Sequence, residues 1–394
     1  MHDSKLLRLI CLMLALCTAL TLLASCGTQD EPSDPIITDD PNAPAEPAEP
    51  DSAPETPEAP ETPETPEEPI ADPDLFVPEG NVNPLTGLCD GISDEALERR
   101  PIAVMINNMI KALPQWGISQ ADIIYEMLAE GRITRLLAIF QDYSKIEYLA
   151  SVRSARPYYM DIAQSYGAVY IHFGGSVPAY DAIKARSDLV HIDGIKGTWN
   201  DTFYRDPDRK ATMGLEHSVV TTGDRLADAM KILEKKGYDL SQTEHPSAFR
   251  YSDRLSENSA VNGEPASKIT ITYSSRHKPW FEYDPESGKY LRFEYGEPQM
   301  DGKQDTQIAT ENVFVLRMET ADVPNNALHL IEIQTTGTGE GYYFHGGTYV
   351  PITWSKEAYN SEIKYYDQNG EELIVARGQS FLSVIPKTGE IVIE

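Results

Sequence analysis

The sequence predicts a mixed α/β body with a largely antiparallel β C-terminal part, set behind a disordered tether. Three observations carry this reading. Short apolar runs alternate with helical patterns between residues 81 and 245, closely spaced alternating strands fill 246–394, and a proline- and glutamate-rich stretch precedes both. Strands interleaved with amphipathic helices favour α/β layering, whereas successive short alternating runs favour antiparallel pairing. The two parts of the body are either two domains or one large sheet system with a shared core.

The N-terminus reads as a lipoprotein signal over residues 1–25. Lys5 and Arg8 precede an apolar run from Leu9 to Leu23, which ends in Leu23-Ala24-Ser25-Cys26. Fifteen residues is short for a membrane-spanning helix, which needs about 20, and fits the apolar region of a secretory signal. The ending resembles the lipobox of bacterial lipoproteins. That resemblance implies lipidation of Cys26, with acyl chains such as palmitate entering the bilayer from the extracytoplasmic face of the cell membrane. More than one chain makes such anchoring durable, since each buried methylene adds about 0.8 kcal/mol.

Residues 26–80 then read as a spacer. Of the net charge of −29, 17 negative charges fall between Thr28 and Gly80, where no Lys or Arg occurs. Like charges repel and apolar residues are too few to bury a core. Frequent proline favours extended polyproline conformations, giving a reach of roughly 150 Å when fully drawn out. The acidic balance and the lack of a basic block exclude nucleic acid as a partner. Cys89 is the only thiol of the body, so no internal disulfide can staple it.

Within the body, Ile102 to Asn107 and Thr134 to Gln141 read as buried strands, while Ser119 to Glu130 is ambiguous between helix and strand. A helix can start near Ser154 or Ala155, with Pro157 in its first turn and Gly167 ending it. Ala168 to Ser176 is a strand running into a glycine turn, followed by a second helix in VPAYDAIKAR. The clearest helix is GDRLADAMKILEKKG, where Leu226, Ala229, Met230 and Leu233 share one face and Gly237 stops it. SKITITYS, YLRFEY, NVFVLRME, ALHLIEIQ, GYYFHGGTYVPITW, ELIVARG and SFLSVIP are the later strands. Gly346-Gly347 and Asn369-Gly370 stand at hairpin turns.

These stretches resemble the YerB-like bacterial lipoproteins, a two-segment family of unknown function. The resemblance is carried by NPLTGL (83–88), RPIAVMINN (100–108), PQWGISQADIIYE (114–126), EGRITRLLAIFQ (130–141) and SVRSARPYYMDIAQSYGAVYIHFGGS (151–176), then by PITWSK (351–356), YYDQNGEEL (365–373) and SVIP. It implies an extracytoplasmic lipoprotein with a three-layer α/β fold, and it supplies no activity. One departure stands out: the family pattern has Pro-His-Asn where this chain has Glu216-His217-Ser218, so any role needing that Asn is in doubt.

The candidate ligand-binding residues are Arg153, Ser154, Arg156, His172, Gly174, Gly175, Ser176, Asn107, Arg205 and His217. Arg153 and Arg156 flank a strand-to-helix junction, where free N–H groups and guanidinium forks suit a carboxylate or phosphate. The alternative is local pairing with Asp161 or Glu130. His172-Phe173-Gly174-Gly175-Ser176 ends a strand, the usual ligand position of open α/β sheets, and glycines permit close approach. Asn107 and Asn108 end another strand. Arg205, Arg209 and His217 lie in a long polar loop whose Trp199, Phe203 and Tyr204 suit it to covering a cleft. Glu126 and Glu130, on one face of a strand, are a candidate carboxylate pair. His172 with His217 and a carboxylate is the sole metal arrangement to weigh. No metal motif, P-loop, dinucleotide fingerprint or nucleophile elbow occurs, so no cofactor is expected.

Three functions follow for the body. The first is binding of an anionic cell-wall fragment, a peptide or an envelope protein through an Arg/His-lined cleft. The second is a cell-wall hydrolase or transferase using a His base. The third is a scaffold in an envelope complex. Sequence leaves the oligomeric state open.

Overall fold

The computed structural model describes residues 72–241 and 249–394. The expected signal peptide, Cys26 and the spacer as far as residue 71 lie outside the described residues, as does the predicted boundary at 245/246. At the end of the stretch read as spacer, the chain is already bonded to the body. Phe76 N–H donates to Asp253 O at 2.7 Å, and Ser256 donates from its backbone and its hydroxyl to Asp74. The Arg377 guanidinium stacks 3.7 Å from the Phe76 ring centroid.

The first three strands are β1 (Ile102–Asn107), β2 (Ile123–Leu128) and β3 (Thr134–Phe140), and every residue in them is buried. Burial on both faces explains why they read as continuous apolar runs. The ambiguous stretch resolves as strand β2, antiparallel to β3. Its β-branched Ile123 and Ile124 suit a strand, and Gly131 (φ +62°) turns the chain back towards β3. Next come β4 (Val169–His172), parallel to β1, and β5 (His191–Asp193), parallel to β4.

Three helices follow the predicted patterns. Helix α1 (Pro157–Ser165) starts at Pro157, later than Ser154 or Ala155. The cause is that Ala155 is held extended, its N–H donating to Gly174 O at 2.8 Å. Helix α2 (Val177–Ala185) is capped by Ser176, whose hydroxyl accepts from Ala179 N. Helix α3 (Gly223–Lys235) is capped by Thr222 and buries Leu226, Ala229, Met230 and Leu233.

The C-terminal segment contributes β6 (Asn312–Asp322), β7 (Gly337–His345), β8 (Thr348–Lys356), β9 (Ile363–Tyr366) and β10 (Ser380–Pro386). The principal sheet runs β9-β8-β7-β6-β10-β2-β3-β1-β4-β5. Strand β10 lies parallel to both β6 and β2, so the two sequence segments are joined within one sheet. Gly346 and Gly347, at φ +59° and +79°, form the two-residue turn between β7 and β8, the twist a tight hairpin requires. ELIVARG is extended without forming a ladder. Its N–H groups go to separate partners: Leu373 to Tyr365 O, Val375 to Arg250 O, Ile374 to the Ser259 hydroxyl and Ala376 to the Tyr343 hydroxyl.

Layers cover both faces at β2. On one face α1 supplies Tyr159, whose hydroxyl donates to Arg135 O, and beyond its end Tyr166, bonded to Tyr125 at 2.8 Å. On the other lies a six-stranded sheet containing Lys268–Thr272, Trp280–Asp284, Lys289–Glu294 and Glu390–Ile393. Phe281 of this sheet meets Phe381 of β10 edge-on at 5.2 Å. The fold is therefore the expected three-layer α/β arrangement, with antiparallel strands dominating its C-terminal part. Phe314, fully buried, stacks on Phe249 at 5.3 Å and packs at a tilt against Tyr365 at 5.2 Å. Truncating such a ring costs about 3–5 kcal/mol.

Candidate functional site

Most of the candidate residues gather where β1 and β4 end. Asn107 terminates β1, and its amide nitrogen lies 2.8 Å from His217 Nδ1. Arg153 runs beside both strands, its N–H donating to Met105 O and its carbonyl accepting from Phe173 N. Ser154 donates from its hydroxyl to Phe173 O.

Arg153 and Arg156 are already paired with acids. Arg153 binds the carbonyl and the carboxylate of Glu216, a residue at the position where the chain departs from its family pattern. Arg156 pairs with Glu130, which also binds Arg135. Burial opposes ionisation of Glu130, yet Arg135 and Arg156 hold its carboxyl below the ordinary range. Asp161, the other predicted partner, pairs with Arg186 at 2.6 Å. Arg205 donates to Leu215 O and lies over the Phe173 ring at 5.2 Å. Buried Arg209 ties the long loop to Ala112 O and Pro114 O at 2.8 and 2.9 Å.

The glycine turn also has its backbone engaged. Gly174 adopts φ +81°; its N–H donates to Asp193, and its carbonyl accepts from Ala155 N–H and His172 Nδ1. Gly175 bridges to Ala155, and Ser176 caps α2. A cleft of about 320 Å³ holds Arg156 and Ser176 with Tyr158 and Ile331, while Arg153 and His172 are not among its lining residues. His172 and His217 have different partners, so the two do not form the weighed metal set.

Glu126 and Glu130 do not form a pair either, because β2 ends at Leu128 and a turn at Glu130–Arg132 breaks the alternation. Glu126, wholly buried, faces the six-stranded sheet. It accepts from Arg292 at 2.6 Å, Thr134 at 2.7 Å, His277 at 2.8 Å and Asn108 at 3.0 Å. Burial opposes its charge, but Arg292 and His277 hold its pKa down to about 2. Beside it, Glu294 is buried and, among the described residues, neither of its oxygens has a hydrogen-bond partner, since Asn108 directs its amide to Glu126 and Thr134. Burial raises Glu294 to about 8, so it is protonated at neutral pH.

Sequence reasoning passed over a different group one strand away. His172 is buried and its Nε2 meets His191 Nδ1 at 3.1 Å, with the rings nearly coplanar and their centroids 5.3 Å apart. His191 lines a cleft of about 500 Å³ together with Lys184, Lys196, Lys236, Tyr180, Trp199 and Tyr238. Lys196 lies over the Tyr180 ring at 5.3 Å, and Lys236 over Trp199 at 4.7 Å. Asp193 is the acidic residue in this lining, buried and bonded to Gly174 N, Ile195 N and the Tyr180 hydroxyl. The available signals were modest: a His-Ile-Asp strand end and a Lys-Lys-Gly helix end, neither of which is a motif.

Residues 85–239 match the N-terminal domain of a protein family of unknown function, DUF3048, and residues 269–382 match its C-terminal domain. The chain belongs to the DUF3048 family. A relative of the chain is the Bacillus subtilis (strain 168) protein named "Putative lipoprotein YerB". It is 29% identical over 309 residues, which are 77% of this chain and 86% of the relative. A crystal structure of YerB from Bacillus subtilis superposes with a TM-score of 0.66 at 27% identity, covering 79% of this chain and 100% of that one. This DUF3048 chain is thus YerB-like in sequence and fold. Among its described residues, no helix is long and apolar enough to cross a membrane.

Proposed function

We propose that this chain is a lipid-anchored envelope protein whose body binds an anionic envelope ligand in the His191 cleft. The anchor reading rests on the Leu-Ala-Ser-Cys26 ending and on the lipoprotein name of the relative. One observation carries the binding reading: Lys184, Lys196 and Lys236 line one cleft in a chain with a net charge of −29. Each of these lysines is exposed, and the cleft's acid, Asp193, is turned to internal donors. Such a local excess of one sign concentrates and orients an oppositely charged ligand. By contrast, Arg153 and Arg156 face Glu216 and Glu130, so the cleft is moved from the predicted arginines to the neighbouring lysines.

Two experiments test the reading. Mass spectrometry of the N-terminal peptide should find an acylated Cys26, lost in Cys26→Ser; an unmodified residue sinks the anchor. Calorimetric titration of the full chain in detergent with glycerol 3-phosphate should show binding that weakens as salt rises from 50 to 500 mM. Binding indifferent to Lys196→Ala/Lys236→Ala would move the site elsewhere.

A further inference from the structure

The hydrogen bonds behind the cleft fix which His191 nitrogen carries a proton. His172 Nδ1 lies 2.7 Å from Gly174 O, and a carbonyl can only accept, so that nitrogen bears the hydrogen. Burial drives His172 down to about 4 against the pull of Asp193, so at neutral pH the ring is neutral and its Nε2 is an acceptor. His191 Nδ1, 3.1 Å away, must therefore donate to it. His191 is itself lowered, by burial first and with Lys196 adding to it against Asp193, so it too is neutral. Its remaining nitrogen, Nε2, is left as a lone-pair acceptor on a residue that lines the cleft, and among the described residues nothing donates to it.

An acceptor among lysines asks for more than charge. A fully ionised phosphate or carboxylate satisfies lysines but has no hydrogen to give Nε2, and pointing an anion at that lone pair is repulsive. A ligand that carries a hydroxyl next to its anionic group satisfies both. The exposed Tyr238 adds apolar surface for a carbon skeleton.

We infer that the cleft selects a hydroxylated anion, a sugar or polyol bearing phosphate or carboxylate, whose hydroxyl donates to His191 Nε2 while Lys196 and Lys236 hold its charge. This rests on the anion-binding reading of the same cleft. His172 is then a positioning residue that sets the tautomer and does not touch the ligand.

The test uses a matched pair of probes on the full chain in detergent. Glycerol 3-phosphate carries hydroxyls, and propyl phosphate has the same charge without them. Glycerol 3-phosphate should bind about tenfold more tightly, the scale of one well-made hydrogen bond to a partly buried acceptor. In His191→Phe the two should bind alike, while Lys196→Ala/Lys236→Ala weakens both together. At acid pH His191 Nε2 gains a proton, and the imidazolium pairs with the phosphate of either probe, so the ratio should narrow. The groups facing that ring are His172 from β4, Asp193 from β5, Lys196 from the following loop, Tyr180 and Lys184 from α2, and Lys236 from the end of α3. Phosphate titration affects both probes equally and cancels in the ratio. His172→Asn serves as a second variant, removing the ring that fixes the tautomer, with folding checked by circular dichroism. Equal binding of the two probes to the wild type overturns the inference while leaving anion binding intact; binding of neither overturns the anion reading itself. A short poly(glycerol phosphate) separates the sources: affinity rising with length identifies a polymer, and affinity equal to the monomer's identifies a free polyol phosphate.

Discussion

Glu126 and His191 both sit beside a histidine and cations, yet solvent treats them oppositely. At Glu126 every charge is enclosed: the carboxylate meets Arg292, His277, Thr134 and Asn108, and Arg292 packs beside the rings of Phe281 and Phe381. This assembly joins β2 of the first segment to the six-stranded sheet of the second. At His191 the histidine pair is buried on one side only, and the lysines in front of it are exposed. A buried ion pair acts as a structural fastening, because breaking it strands a charge, and this one holds although Arg292 Nη1 and His277 Nδ1 have no hydrogen-bond partner among the described residues. An exposed group of like charges stabilises the fold little and is available to a ligand. The contrast gives the first a structural part and supports the binding proposed for the second.

The contrast can be broken or sharpened by substitution. The largest effect should come from Arg292→Met, which leaves the Glu126 charge buried without its cation. Unfolding free energy from urea titration should fall by about 3–5 kcal/mol. A loss under about 1 kcal/mol would mean the junction is not a fastening. Next is Glu294→Gln. Its folded pKa is raised to about 8 from 4.5, so its contribution is fully present below pH 4.5 and is lost as pH rises through 8. Glutamine removes that loss, so the variant should gain about 1–3 kcal/mol at pH 8 and nothing below pH 4.5. Third, Lys196→Ala/Lys236→Ala should weaken glycerol 3-phosphate about tenfold, with stability unchanged to within about 0.5 kcal/mol. The smallest change belongs to Arg153→Ala. It removes a pair with the largely exposed Glu216, so thermal denaturation should register roughly 0–1 kcal/mol and ligand affinity should stay put.

Much of the fold was legible because its signals are local. The α3 stripe of Leu226, Ala229, Met230 and Leu233, the Gly346-Gly347 turn and the apolar runs of β1 and β3 each announce themselves within a few residues. Helix α1 began later than its pattern implied because Ala155 is bonded to Gly174, a contact 19 residues away in the chain. The site was harder for the same reason. Arg153 and Arg156 stand beside a helix start as an anion site would, but their acids, Glu216 and Glu130, arrive from elsewhere in the chain. His172 was visible at its strand end; that it faces inward onto His191 depends on β4 and β5 lying parallel. Lys196 and Lys236 sit at two loop ends 40 residues apart and meet only through the packing of α3.

The central claim is that the lysine and histidine cleft, and not the arginine cluster, takes the anion. The most direct measurement is calorimetric titration of glycerol 3-phosphate into the full chain in detergent, with Lys196→Ala/Lys236→Ala and Arg153→Ala run alongside. The account predicts that the lysine variant loses about tenfold in affinity while the arginine variant binds like the wild type. Loss of affinity in the arginine variant alone would contradict it.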